Sequence, residues 1–322
     1  MIAVLKKYGS IGLKLLGLFV FIYICTRIDL DQVIQSVASA SWYHMAGAVL
    51  LLIFFHFLKG IRLYYLLKMG KMKISLLNCY LIYVIGLYWG LITPGRMGDF
   101  IKAYHIKNHG YAFSEGVSIS LVDRILDFFV FILFSGAGLV VLLSHHTVAL
   151  HMADWIYWFL ILVIFIFILL LTNRKKLTGW FSGLSFFEKI KQYFIDFRAY
   201  LKEIVRFRNL VFLILFTIFS WFVYLLVVKL LITSFGLNLP FLIVVVFFFI
   251  STLITFLPVS YAGIGTRDAA LIFLFSLYNY PSEDALRFSF SILFVYLCTI
   301  IMGFAANLLK KSPDINTLNS GL

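Results

Sequence analysis

Unbroken apolar runs of roughly 20 residues recur along this chain, and nothing else in it constrains the fold as tightly. A helix rises 1.5 Å per residue, so about 20 apolar residues cross the roughly 30 Å hydrocarbon core of a membrane. The runs are continuous and do not alternate, which argues for helices and against a barrel. They fall at about 9–26, 41–58, 115–143, 155–171, 210–232 and 285–308. Two further runs, 74–92 and 241–257, each end in a stretch rich in proline, glycine and charge. The chain is 63% hydrophobic and 13% charged, whereas soluble domains are about half apolar and about a quarter charged. The expected fold is an all-α polytopic membrane protein with about six full spans plus two re-entrant helical hairpins. It is read as one integral membrane domain over 1–322, because no loop exceeds about 40 residues.

Cation placement sets the topology. The net charge is +13, which in a soluble protein would raise nucleic acid as a partner. Here the cations sit between apolar runs. Three lie up to Lys14, five in 59–73 (Lys59, Arg62, Lys68, Lys71, Lys73), nine in 172–209 and two at Lys310 and Lys311. The loops at 144–154 and 233–240 have no Lys or Arg. The positive-inside rule puts the four basic regions in the cytoplasm. The parity closes only if 74–92 and 241–257 enter, break and return to their own side. Both termini are then cytoplasmic, in the plasma (inner) membrane of a prokaryote. Lys6 and Lys7 precede an apolar run without a small-residue cleavage site, as in a retained signal-anchor.

The two broken stretches resemble each other. The first carries Pro94, Gly95, Arg96, Gly98 and Asp99, then Ser114-Glu115. The second carries Pro258, Gly263, Gly265, Arg267 and Asp268, then Ser282-Glu283. Asp99 to Glu115 and Arg267 to Glu283 are both steps of 16 residues. Each Ser is read as an N-cap and each Glu as a first-turn residue. Repeat-like halves of about 74–143 and 241–308, entering from opposite sides, form an inverted repeat, and paired broken helices point to a transporter's site.

The candidate substrate-binding residues are those a bilayer should reject. A charge at mid-membrane costs roughly 2.5–3.5 kcal/mol on insertion scales, so it pairs or lines a cavity. Arg96 and Asp99, three apart, can pair. A helix N-terminus beside an arginine suits a phosphate or carboxylate. Pro94, Gly95 and Gly98 shape that tip, and Gly263, Gly265, Arg267 and Asp268 supply the same parts in the second. Asp123, Arg124 and Asp127 lie about 12–18 Å past Glu115 along a helix. Asp123 and Asp127 share a face, and Arg124 reaches Asp127 at i, i+3. The triplet either locks the hairpin or lines a path for substrate or protons. Lys229 and Arg287 are read as snorkelling, and His56 as a packing histidine.

Segment 185–208 repeats Phe187, Ile190, Phe194, Phe197, Leu201, Ile204 and Phe207 between cations. It reads as a cytoplasmic amphipathic helix, within 172–209, on anionic inner-leaflet lipids, with a cytosolic enzyme partner as the lesser reading. The chain has no Walker A, Gly-x-Ser-x-Gly or His-Glu-x-x-His motif. Its three cysteines show no Cys-x-x-Cys spacing. No cofactor, metal, catalytic residue or nucleic-acid partner is expected.

"TPGRMGDFIKAY" (93–104), "VSISLVDRILDF" (117–128) and "AGIGTRDAAL" (262–271) together resemble the lysylphosphatidylglycerol synthase transmembrane-region family, over roughly 10–308. Many members read Pro-Gly-Gly-Ile-Gly-x-Arg-Glu at the second motif; here it is Tyr261-Ala262-Gly263-Ile264-Gly265-Thr266-Arg267-Asp268. The resemblance implies a flippase-like protein moving a charged or lipid-linked amphipathic substrate. Arg96 and Arg267 would hold the headgroup, and Asp99, Asp123 and Asp268 would hold the arginines or relay protons. Fused members carry an aminoacyl transferase domain that makes lysyl-phosphatidylglycerol. With 14 residues after the last span here, no such domain is expected. The alternative is a membrane-embedded subunit or scaffold of a lipid-modifying transferase system.

Overall fold

A computed structural model describes residues 39–93, 98–145, 207–255 and 263–309, with Gln35 and Phe197 besides. The expected spans at 9–26 and 155–171, the amphipathic segment apart from Phe197 and 207–208, and tip residues Pro94, Gly95, Arg96, Pro258, Tyr261 and Ala262 lie outside the described residues. Among the described residues every regular element is a helix.

Eight helices follow in order: α1 Trp42–Met69, α2 Leu76–Ile92, α3 Ile101–Lys107, α4 Phe113–His145, α5 Phe207–Ser234, α6 Phe241–Thr255, α7 Thr266–Leu277 and α8 Ser282–Leu309. Among the described residues α1, α5 and α8 are long and apolar enough to cross a membrane, and α2 and α6 are shorter apolar helices. Ser114 and Ser282 fall inside the first turns of α4 and α8 and are not caps. The α4 start is closed by Glu115, whose Oε2 accepts from the Ala112 amide at 3.0 Å.

Helix α1 overturns one reading. Lys59 and Arg62 lie in its interior and are fully buried, not in a cytoplasmic loop. The helix is 28 residues long, about 42 Å. Only Lys68, Lys71 and Lys73 of that group remain at its end and in the turn beyond.

Both broken stretches fold back. α2 stops at Thr93, which is extended (φ −93°, ψ 142°), as the residue before a proline prefers. Thr93 Oγ1 donates to the Trp89 carbonyl at 2.7 Å and accepts from the Gly98 amide at 2.6 Å, bridging the turn. The return runs antiparallel against α2. A Cβ on Gly90 would lie 2.8 Å from Asp99, and one on Gly86 would lie 2.6 Å from Lys102. The second stretch does likewise. Thr255 sits at Gly263, and the Phe247 ring meets Phe275 at 4.9 Å. Gly263 (φ 80°) and Gly265 (φ 85°) turn the chain in the left-handed region, where a side chain would be strained.

Helix packing shows a two-fold pattern. α2 packs on α8 as α6 does on α4; α3 on α4 as α7 on α8; α1 on α2 as α5 on α6; α1 on α4 as α5 on α8. At the centre α1 meets α5. These two run antiparallel: the Ser41 amide bonds the Ser234 carbonyl at 3.0 Å at one end, and the Tyr65 and Phe212 rings meet at 5.2 Å near the other. An aromatic cluster joins α1, α4, α5 and α6. Trp221 sits 4.7 Å from Phe131 and 5.5 Å from Phe55, and Phe134 stacks on Phe249 at 5.0 Å.

Candidate functional site

Four cations and three carboxylates meet where α1, α4 and α5 face the first hairpin. Arg62 is the hub. Its Nε and Nη2 donate to Asp123 Oδ1 at 3.0 and 2.6 Å, and its Nη1 and Nη2 to Asp127 at 2.7 and 3.0 Å. Nη1 also reaches Thr217 Oγ1 at 3.1 Å, and Nη2 the Asp123 carbonyl at 3.2 Å. The guanidinium's donors are thereby all engaged, which is the condition for burying such a fork without loss. Asp127 Oδ1 further accepts from Lys59 Nζ at 2.5 Å and Trp221 Nε1 at 3.0 Å. Lys59 Nζ also lies over the Trp221 ring, 4.6 Å from its centroid, a cation–π contact.

The hairpin docks onto this hub through α3. Lys102 Nζ donates to Asp123 Oδ2 at 2.9 Å and lies 4.7 Å from the Tyr83 ring centroid. Its side chain passes over Gly86, where any Cβ would collide with it. One step back, Asp99 Oδ2 lies 2.5 Å from Arg124 Nη2. That contact is close but not aligned as a hydrogen bond, and among the described residues Arg124 Nε and both Asp99 oxygens have no hydrogen-bond partner.

Exposure separates two zones. Lys59, Arg62, Lys102 and Asp123 side chains are 0% exposed, whereas Arg124 is 15% exposed. Arg124 is thus the most exposed member of the network, although its Nε and Nη2 and both Asp99 oxygens are themselves buried. Among the described residues the formal charge of the network is +1, four basic side chains against three carboxylates.

Sequence reasoning singled out Asp99, Asp123, Arg124 and Asp127, and the structure brings all four together. It assigns the pairs differently. Arg124 sits on Asp99 and not Asp127, whose partners are Lys59 and Arg62. Lys59, Arg62 and Lys102 were missed as members. One signal was available: Lys59 and Arg62 are three apart at the edge of an apolar run, which places both on one helical face.

The second tip is smaller. Arg267 is fully buried, its Nη2 donates to Ser289 Oγ at 2.7 Å, and it lies 3.5 Å from Asp268 Oδ1. Ser289 in turn donates to Asp268 Oδ1. Asp268 Oδ2 accepts from the Gly265 amide at 2.8 Å, closing the α7 start. Both hairpins lean on one face of α8. Ser289, Tyr296, Thr299 and Gly303 follow at helical spacing. They meet Arg267, the Arg267 guanidinium again, His56 and Tyr88 respectively. From Ser289 to Gly303 is about 21 Å. His56 Nε2 is 3.0 Å from Thr299 Oγ1, in keeping with a packing role. Lys229 caps a nearby turn, Nζ to the Leu239 carbonyl at 2.6 Å, and Arg287 pairs with Asp284 at 3.1 Å.

The profile of the lysylphosphatidylglycerol synthase TM region matches residues 10–305. The UPF0104 membrane protein MJ1595 of Methanocaldococcus jannaschii is 24% identical over 330 residues, covering 95% of this chain and 96% of that protein. The UPF0104 membrane protein MJ1078 of the same organism is 28% identical over 210 residues, covering 64% of this chain and 84% of that protein.

Proposed function

The chain belongs to the lysylphosphatidylglycerol synthase TM region family, and from that premise we propose a flippase-like transporter of an amphipathic lipid with a charged or phosphate-linked headgroup. One observation carries the reading: an ion network sits among apolar helices, and at one end of it the buried Asp99–Arg124 pair keeps carboxylate and guanidinium atoms without hydrogen-bond partners among the described residues. Ionisable groups at such depth mark substrate or ion paths. In this reading the headgroup phosphate takes Arg124, and Asp99 holds the arginine when no lipid is present. The sealed part, Arg62 with Asp123 and Asp127, keeps the hairpin in register.

The architecture is proposed to be six spans with two re-entrant hairpins related as an inverted repeat, both termini cytoplasmic. The antiparallel α1–α5 pair and the matched packing of α2 on α8 and α6 on α4 support the repeat. Arg267 is enclosed by Ser289 and Asp268, so its contact with a headgroup requires the second hairpin to move off α8.

The test is translocation in proteoliposomes, read with headgroup-labelled phosphatidylglycerol and a labelled polyprenyl phosphate against an impermeant quencher. Arg124→Gln is expected to slow exposure of the label at least tenfold, and Arg96→Ala with Arg267→Ala to abolish it. Unchanged rates in both folded variants would overturn the reading.

A further inference from the structure

A second basic feature lies away from the ion network, where α1 turns into α2. A cavity of about 540 Å³ is lined by Tyr64, Lys68, Met72, Lys73, Ile74, Ser75 and Leu76. That volume falls within the range of small-ligand sites. Lys68 lies six residues past Arg62, about 9 Å along the helix.

The local fold holds the cavity in shape. Lys71 adopts a left-handed backbone, φ 62°, which reverses the chain after Gly70. Met72 and Ile74 are buried beneath the turn. The Lys73 amide donates to Tyr111 Oη at 2.6 Å, tying the turn to the segment before α4. Ser75 caps α2, its Oγ accepting from the Asn78 amide at 3.4 Å. The wall therefore includes a helix start, whose first amides have no acceptor within the helix.

Charge distinguishes this place from the ion network. Among the described residues no carboxylate pairs with Lys68 or Lys73, whereas Lys59, Arg62, Lys102 and Arg124 are each paired. Lys68 Nζ lies only over the Tyr64 ring, at 6.0 Å. Beside the cavity are exposed apolar side chains: Leu77 is 68% exposed, and Leu76 and Tyr65 are each 36% exposed. Two uncompensated ammonium groups over an apolar floor, with an apolar flank next to them, match the two ends of an anionic lipid.

We propose that this cavity binds the phosphate of an anionic phospholipid headgroup, with Lys68 and Lys73 as its cationic walls and the acyl chains against Leu76 and Leu77. The proposal is independent of transport, since none of these residues belongs to the network. A free phosphate could satisfy the same two ammonium groups, and the experiment separates the two sources.

The full chain, purified in neutral detergent, is titrated with phosphatidylglycerol and, separately, phosphatidylcholine, and bound lipid is counted by native mass spectrometry. The double variant Lys68→Gln, Lys73→Gln is compared with Lys68→Arg, Lys73→Arg and with the surface control Lys107→Gln. A juxtamembrane lysine contributes about fivefold to anionic lipid affinity. The glutamine pair is therefore expected to weaken the phosphatidylglycerol adduct by about thirtyfold, while the arginine pair and Lys107→Gln retain it. Competition by millimolar inorganic phosphate, with no headgroup preference, would assign the site to free phosphate and overturn the lipid source. Equal phosphatidylglycerol binding by the glutamine pair and the native chain would overturn the site itself. So would an equal loss in Lys107→Gln.

Discussion

Asp123→Asn tests whether the network is held by charge balance. Asp123 takes Arg62 on one oxygen and Lys102, at 2.9 Å, on the other. At an effective dielectric of about 20, that lysine contact alone is about 6 kcal/mol of gross attraction. Desolvation cancels much of it, and removing one partner of a buried pair costs about 3–5 kcal/mol because the other stays buried and uncompensated. Asparagine keeps the shape and one acceptor, so the effect isolates charge: the network goes from one net positive charge to two. Thermal unfolding of the chain in nanodiscs, followed by tryptophan fluorescence, is expected to fall by roughly 10 °C. Trp221, bonded to Asp127, reports from inside the network. Lys102→Met with Asp123→Asn restores the original net charge and is expected to recover at least half of the loss. The cycle over both single variants and the double gives the coupling directly. Additive losses would refute the reasoning, because they would mean that Lys102 and Asp123 do not stabilise each other.

Gly86→Ala places a Cβ 2.6 Å from the Lys102 side chain and is expected to cost about 1–3 kcal/mol, measured by the same unfolding assay. Gly90→Ala pushes on Asp99, 2.8 Å away, in the pair with Arg124; its translocation rate is expected to fall more than its stability. Thr299→Val leaves His56 Nε2 without its hydroxyl partner and is expected to destabilise by about 1–2 kcal/mol. Ser289→Ala removes the hydroxyl that joins Arg267 to Asp268; hydrogen exchange is expected to quicken in α7 and to stay unchanged in α3.

Much of this architecture was legible because the bilayer imposes a length rule. The runs at 41–58, 115–143, 210–232 and 285–308 became α1, α4, α5 and α8, and each broken run is followed by a helix that packs against it. The ends of helices were less legible. Hydropathy drops at Lys59, so α1 appeared to stop there, yet it runs to Met69. Hydropathy measures affinity for lipid, and Lys59 and Arg62 face carboxylates inside the protein. The same cause misdirected Arg124. Spacing along one helix offered Asp127, three residues on, while the partner in space was Asp99 on the hairpin. Local spacing lists the pairs a helix permits; tertiary packing chooses among them, and here Arg62 already occupied Asp127.

The two hairpins share a scaffold but not a fastening. The first return is held to α4 by two ion pairs, Lys102 to Asp123 and Arg124 to Asp99. The second is held to α8 through Ser289, a neutral hydroxyl between Arg267 and Asp268, and through ring contacts of Arg267 with Tyr296 and of Phe275 with Phe288. Pulling the first return away would leave charges of both signs uncompensated in a low-dielectric interior, a cost of several kcal/mol. Pulling the second away keeps Arg267 beside Asp268, which belong to the same helix and move together, but breaks the hydrogen bonds to Ser289 and the ring contacts of Arg267 with Tyr296 and of Phe275 with Phe288. The two returns therefore differ in the chemistry that holds them: ion pairs to α4 for the first, and a hydroxyl with aromatic rings of α8 for the second.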